Sequence, residues 1–242
     1  MTKLLDGIPP RLELRNLFYV EDDFTNDLDT NIWGTVLTDT GTATVVDGAK
    51  GILPLVPSDG TVADNDEAYA KGANEVFLFA ADKPIVFEAL VQFTEANTDD
   101  ANIIVGMKDA VAANSLLDDG GGPAASYSGM VFFKVDGDTV WQCETSLAGT
   151  QTTTQLTATN ANNLSKKAQT AGGATYQRLR IEFLPYSSTN AYVNFYIDGV
   201  QVASHDFIYT SATEMQLCFG VKNGGANLET LNVDYVVAAQ QR

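Results

Sequence analysis

Val193-Asn194-Phe195-Tyr196-Ile197-Asp198-Gly199-Val200-Gln201-Val202-Ala203 holds two alternating runs rich in β-branched and aromatic residues, joined by Asp198-Gly199. Asp-Gly between such runs is a strong hairpin signal, because a tight type I′ turn needs positive φ at both central positions. The segment therefore predicts two antiparallel strands meeting in a two-residue turn. Leu231-Asn232-Val233-Asp234-Tyr235-Val236-Val237 adds a further strand-like run near the end of the chain.

Outward from this hairpin the same two-residue period recurs. Phe87, Ala89, Val91 and Phe93 alternate with Val86, Glu88, Leu90 and Gln92. Leu179, Ile181 and Phe183 alternate with Arg178, Arg180 and Glu182, and Met215, Leu217, Phe219 and Val221 repeat the pattern. This is the signature of sheets with one better-buried face. Asp-Gly punctuates the chain at 47–48 and 136–137 as well as at 198–199.

Helical periodicity is weak throughout. The nearest candidate, Asp109 to Leu117, allows one short helix or a turn before Asp118-Asp119 and Gly120-Gly121-Gly122. The stretch from Thr145 to Thr175, rich in Thr, Gln, Asn and Ala, is expected to form edge strands and long loops. Many short strands with little helix predict an all-β fold, a two-sheet antiparallel jelly-roll sandwich. Residues 18–242 are expected to form one domain. Residues 1–17, with Pro9-Pro10 and the alternating Arg11-Leu12-Glu13-Leu14-Arg15, are expected to form an extended N-terminal arm.

Composition narrows the partners. The 242 residues carry 31 Asp plus Glu against 14 Lys plus Arg, a formal net charge of −17. Such a field repels phosphate backbones and anionic lipid, so neither nucleic acid nor membrane is expected as a partner. Met1 to Pro10 lacks the apolar core of a secretory signal, and no apolar run reaches membrane-spanning length. Cys143 and Cys218 both lie in strand-like runs and permit either one disulfide or two buried thiols. A protein assembled in a cytoplasm fits the thiols better.

Asp22-Asp23-Phe24 followed by Trp33-Gly34, then Phe87-Glu88-Ala89, Phe195-Tyr196-Ile197-Asp198-Gly199 and Val233-Asp234-Tyr235-Val236 resembles, in order and spacing, the concanavalin A-like, laminin-G-like jelly roll. That fold hosts lectins, glycoside hydrolases, adhesion modules and virion proteins, so the resemblance implies architecture more than activity. Asp64-Asn65-Asp66-Glu67-Ala68, Asp99-Asp100-Ala101-Asn102-Ile103, Leu117-Asp118-Asp119-Gly120 and Ser128 to Gly137 resemble laminin-G-like capsid proteins of tailed bacteriophages. The narrower resemblance implies a non-enzymatic decoration or cement protein on the capsid exterior, assembled in the host cytoplasm. Its partners would be the major capsid protein, other virion subunits or further copies of itself. The alternative is a lectin-like module binding a glycan, and third comes a glycoside hydrolase of the same fold.

No catalytic, cofactor-binding or metal-binding residue is assigned. The glycosidase branch of this fold carries Glu-x-Asp-x-x-Glu on one strand, which aims the outer carboxylates into one groove, and no such triplet occurs. The strand acids Glu88, Glu182, Asp198 and Asp234 stand apart in sequence, leaving only pairing across strands. His205, the single histidine, is expected in a loop beyond the hairpin, solvent-facing or hydrogen-bonded, with no nucleophile elbow to serve. The acidic clusters at 64–67, 99–100 and 118–119 offer hard oxygen ligands but no EF-hand spacing, and solvated loops are the expectation. Trp33 is expected in the core, while Trp141 is open between core and a sugar-stacking platform. Asn163-Leu164-Ser165 is formally a glycosylation sequon with nothing else to support it.

Overall fold

In a computed structural model, residues 16–46, 51–58, 60–95, 97, 99–172 and 175–242 are described. The arm, apart from Asn16 and Leu17, lies outside them, as does the Asp-Gly pair at 47–48. Strands β1 (Leu17–Asp22), β2 (Trp33–Leu37), β3 (Thr40–Ala43), β4 (Leu53–Ser58) and β5 (Glu67–Gly72) open the fold. They are followed by β6 (Phe77–Leu78), β7 (Ile85–Thr94), β8 (Ala101–Lys108), β9 (Gly129–Lys134), β10 (Gln142–Leu147) and β11 (Thr150–Gln155). The last five are β12 (Gln177–Pro185), β13 (Asn190–Ile197), β14 (Val200–Ile208), β15 (Glu214–Asn223) and β16 (Thr230–Gln241).

These strands form two eight-stranded antiparallel sheets. The first runs β14-β13-β12-β7-β16-β4-β3 with β1 also on β16, and the second runs β11-β10-β9-β8-β15-β5-β2 with β6 also on β15. The architecture is the expected sandwich. Asp198 and Gly199 have φ of 51° and 83°, and Ile197 pairs with Val200, so the opening segment is the two-residue hairpin its sequence predicts.

The inner faces follow the period-two pattern. Phe87, Ala89, Val91 and Phe93 of β7, Leu179, Ile181 and Phe183 of β12 and Phe219 and Val221 of β15 are all buried in one cluster between the sheets. Trp33 and Trp141 are both in that core, at 2% and 0% exposure, which settles Trp141 as packing rather than platform. Their indole N–H groups are not orphaned. Trp33 donates to Asp22 at 2.7 Å and Trp141 to Gln177 at 2.9 Å, as buried indoles require.

The structure decides several readings that the sequence left open. The segment 109–117 contains no helix, only turns. Asn163 is fully buried, its amide donating to the carbonyls of Thr157 and Lys167, so the sequon is a loop-closing device. Cys143 and Cys218 are free and buried; Cys143 belongs to the inter-sheet core, whereas Cys218 packs on the opposite face of the second sheet.

His205 is a correction. It lies within β14, 4% exposed, with Nδ1 at 3.0 Å from Thr145 Oγ1 and Nε2 at 3.0 Å from Thr154 Oγ1. The hairpin strand outlasts the Asp-Gly signal far enough to carry the imidazole into the core beside Phe195. Burial lowers its pKa from 6.5 to about 4, because two hydroxyls in an apolar setting do not replace the hydration of an imidazolium. The neutral ring is the folded form, so its contribution is complete above pH 6.5 and is lost as pH falls from 6.5 through about 4. A shift of that size corresponds to about 3 kcal/mol. Urea midpoints measured between pH 7 and pH 4 should fall less steeply for His205→Gln than for the wild type; parallel curves would refute this account.

Candidate functional site

The outer faces of the two sheets differ in kind. On the second sheet, strands β8 and β9 are buried at every position and β15 at all but Glu214. A strap formed by residues 109–128, between β8 and β9, covers them. Val111, Leu116 and Tyr127 of the strap pack with Tyr69, Ile104, Val131, Phe133 and Cys218 in a second apolar cluster. Gly220 makes room for this layer, since a Cβ there would stand 2.2 Å from the Tyr69 ring.

Polar groups pin the strap at both ends. Glu67, on β5, accepts the Asn114 N–H at 2.8 Å and the Tyr69 hydroxyl at 2.8 Å, and the same hydroxyl accepts the Leu116 N–H at 3.0 Å. Lys222, 1% exposed, donates to Asn114 Oδ1 at 2.8 Å and lies 3.7 Å from Glu67 and against Asp118. At the other end Tyr127 donates to Glu144 at 2.8 Å, and Lys108 sits 4.8 Å from the Tyr127 ring centre. Burial raises the pKa of Glu144 and lowers that of Lys108. Desolvation and the neighbouring carboxylates also hold Tyr69 and Tyr127 well above the ordinary phenol range, so both remain donors. The acids of this face are thus spent on the strap.

Members of the acidic clusters read from the sequence are likewise engaged within the fold. Asp66 accepts the Ala63 N–H, Glu67 and Asp118 serve Lys222, and Asp100 accepts from Asn97 and Asn227. Among the described residues no three His, Cys, Asp or Glu side chains converge as a metal site would need.

The first sheet leaves its outer face open across β12, β13 and β14. Strand alternation puts Tyr192, Asn194 and Tyr196 of β13 on that face, with Arg180, Glu182 and Leu184 on one side and Ser204, Asp206 and Ile208 on the other. At the inner end Arg180 bridges two carboxylates, at 2.6 Å to Glu182 and 3.7 Å to Glu88. Tyr196 donates to Glu182 at 3.1 Å and Tyr235 to Glu88 at 2.8 Å. Burial and Glu182 push the Tyr196 phenol up to about 12. Glu88 and Glu182 are therefore brought together, as pairing across strands allowed, but a guanidinium fills the gap where a glycosidic oxygen would have to sit. Asp198 caps the hairpin, accepting the Arg178 N–H.

At the outer end the face turns aromatic. Tyr186 and Tyr192 are 52% and 49% exposed, with ring centres 4.8 Å apart and planes inclined by 33°. Tyr186 donates to Asp206 Oδ1 at 2.7 Å, and Asp206 is the cross-strand partner of Tyr192. Leu184 and Ile208 flank the pair, 36% and 66% exposed. Between the two ends Asn194 Oδ1 accepts from Gln201 and Ser204. The result is a ribbon of ring faces and planar polar groups along one strand. A separate cleft of about 410 Å³ lies beside β1, walled by Tyr19, Glu21, Asn31, Ile32, Asn74 and Val76 among others.

No family profile matches the chain, and no curated protein matches it in sequence. Solved structures do match in shape. An endo-1,3-β-glucanase from Streptomyces sioyaensis superposes with a TM-score of 0.60 at 13% identity, covering 96% of this chain and 98% of that one. The Emp47p carbohydrate recognition domain gives 0.58 at 11% identity over 94% and 98%. An endo-β-1,4-glucuronan lyase from Trichoderma reesei gives 0.58 at 12% identity over 91% and 94%. The fold is the concanavalin A-like jelly roll. At these identities the likeness speaks for the fold alone, and that part of the sequence resemblance holds. The expected likeness to phage capsid proteins gains no support from these matches.

Neither feature that distinguishes the two faces is spelled out in the sequence. The strap left a trace in Met130 to Phe133, where alternation is replaced by an unbroken apolar run, as expected for a strand buried on both sides. The tyrosine pair left none, because Tyr186 belongs to a turn whose direction sequence does not give. Lys222→Met should leave Glu67 buried without its cation and destabilise the fold by about 3 kcal/mol or more. Amide exchange should accelerate first within 110–118; an unchanged strap would show that the apolar layer alone holds it.

Proposed function

We propose that the chain is a non-catalytic carbohydrate-binding module whose binding face is the open side of β12, β13 and β14. The observation that carries this reading is the exposed Tyr186–Tyr192 pair set in a row of planar hydrogen-bonding side chains. A sugar ring presents apolar C–H faces and a rim of hydroxyls, so it is matched by aromatic faces flanked by carboxylates and amides. Residues two apart on a strand lie about 6.8 Å from each other, which puts Tyr192 and Tyr196 about 13 Å apart. That span suits a short oligosaccharide lying along β13.

The non-enzymatic part of the reading is supported by the state of the acids. Glu67 and Glu144 lie beneath the strap, and Glu88 and Glu182 share Arg180 and two tyrosine hydroxyls. Neither pair offers the open gap that glycoside hydrolysis by two carboxyl groups needs. The carbohydrate recognition domain among the structural neighbours shows the fold can do this work without supplying the residues. A capsid exterior location and a capsid partner are a separate proposal carried by the sequence phrases, tested by co-sedimentation with capsids lacking the chain.

Screening on a glycan array followed by titration of the best ligand should give a saturable, micromolar-range interaction. Tyr192→Ala should weaken it about tenfold, the equivalent of about 1.4 kcal/mol, without changing the melting temperature of an exposed site. Binding indifferent to Tyr192 and Tyr186 would place the ligand elsewhere. Turnover of a β-glucan that vanishes in Glu88→Gln or Glu182→Gln would instead make the protein an enzyme.

A further inference from the structure

We infer that this face is selective for glycans bearing free amino groups, an inference that rests on the carbohydrate reading and names the ligand class. The selecting group is Asp206. One of its oxygens, Oδ1, accepts the Tyr186 hydroxyl at 2.7 Å, and Oδ2 has no partner among the described residues. Asp206 is exposed on β14, directly across from Tyr192 and bonded to the Tyr186 hydroxyl, so the carboxylate sits beside the exposed tyrosine pair.

An ammonium is the group this arrangement fits. Its charge is attracted to the electron-rich faces of tyrosine rings and to a carboxylate, and each attraction works without burying either partner. The Tyr186 hydroxyl is committed to Asp206 as a donor; the proximity of that carboxylate raises the Tyr186 pKa. The phenol therefore stays neutral, and the local charge is that of Asp206.

Among the described residues no lysine or arginine forms an ion pair with Asp206. The basic groups of the face lie toward the Asp198-Gly199 hairpin: Arg180 is held by Glu88 and Glu182, four residues from Leu184 along β12 and thus about 13 Å away. A sugar acid stacked on Tyr192 would meet Asp206 and, at longer range, a chain of net charge −17. Anionic glycans are disfavoured, neutral ones are accepted through stacking alone, and amino sugars gain the ammonium contacts.

Three β-1,4-linked pentamers distinguish the outcomes: glucosamine, N-acetylglucosamine and glucuronate, titrated calorimetrically into the full chain at pH 5.5. The glucosamine oligomer should bind about five- to tenfold more tightly than its N-acetylated counterpart, with the advantage shrinking as salt is raised. Glucuronate should not bind. Asp206→Asn, whose amide oxygen can still accept the Tyr186 hydroxyl, should abolish the advantage of the glucosamine oligomer over the N-acetylated one, and Tyr192→Ala should weaken both. Equal affinity for the first two oligomers overturns the amine selectivity and leaves the carbohydrate reading standing. An advantage that survives Asp206→Asn shows generic attraction of a polycation to an acidic chain and also overturns it. Absence of binding to all three, and to the array, overturns both readings.

Discussion

A buried ammonium sets the division of labour in this molecule. Lys222 lies on the outer face of the second sheet, 1% exposed, where it would cost several kcal/mol if left unmatched. It is matched by Glu67, Asp118, the Asn114 side chain and the Leu116 carbonyl, and three of those four belong to residues 114–118 of the strap. Because Glu67 also takes the Asn114 N–H and the Tyr69 hydroxyl, the strap's backbone, the strap's side chains and the sheet satisfy one another in a closed set. Remove any member and a polar group is left dry. The strap is consequently part of the fold and not a mobile cover, and the face beneath it is unavailable to any ligand.

That closure leaves the outer face of the first sheet, across β12–β14, as the open one. A sandwich has two outer surfaces, and here one is buried by its own chain while the other carries exposed rings at its β12–β14 edge. The contrast is visible in the burial of single strands: β9 is buried at every residue, whereas β13 alternates between buried and accessible positions. The accessible set on β13 is Asn190, Tyr192, Asn194 and Tyr196, an alternation of amide and ring with no analogue beneath the strap. Its neighbours Glu182 and Asp206 each hold a tyrosine hydroxyl, fixing ring orientation before any ligand arrives. Preorganised rings lose less freedom on binding than rings on loose side chains.

The same packing decides the fate of chemistry that sequence alone leaves open. His205, which the sequence puts in a loop beyond the hairpin, is carried by β14 between the sheets, where two threonine hydroxyls occupy both ring nitrogens. Glu88 and Glu182, distant in sequence, become neighbours around Arg180 because β7 and β12 pair with Arg180 opposite Glu88. What looked like separated acids is an ion cluster, and two members of what looked like acidic loops, Glu67 and Asp118, anchor the strap.

Local rules were sufficient for the strands. Period-two alternation in β7, β12 and β15 and the positive-φ demand met by Asp198-Gly199 are encoded within a few residues, so the all-β sandwich, the central hairpin and the core placement of Trp33 were determined by sequence. The strap, the burial of Lys222 and His205, and the meeting of Tyr186 with Tyr192 and Asp206 were decided only by tertiary structure. Each depends on which strands become neighbours and on which side of a sheet a long connection crosses. Those choices are made by summed burial over the whole core, and no short stretch of sequence records them.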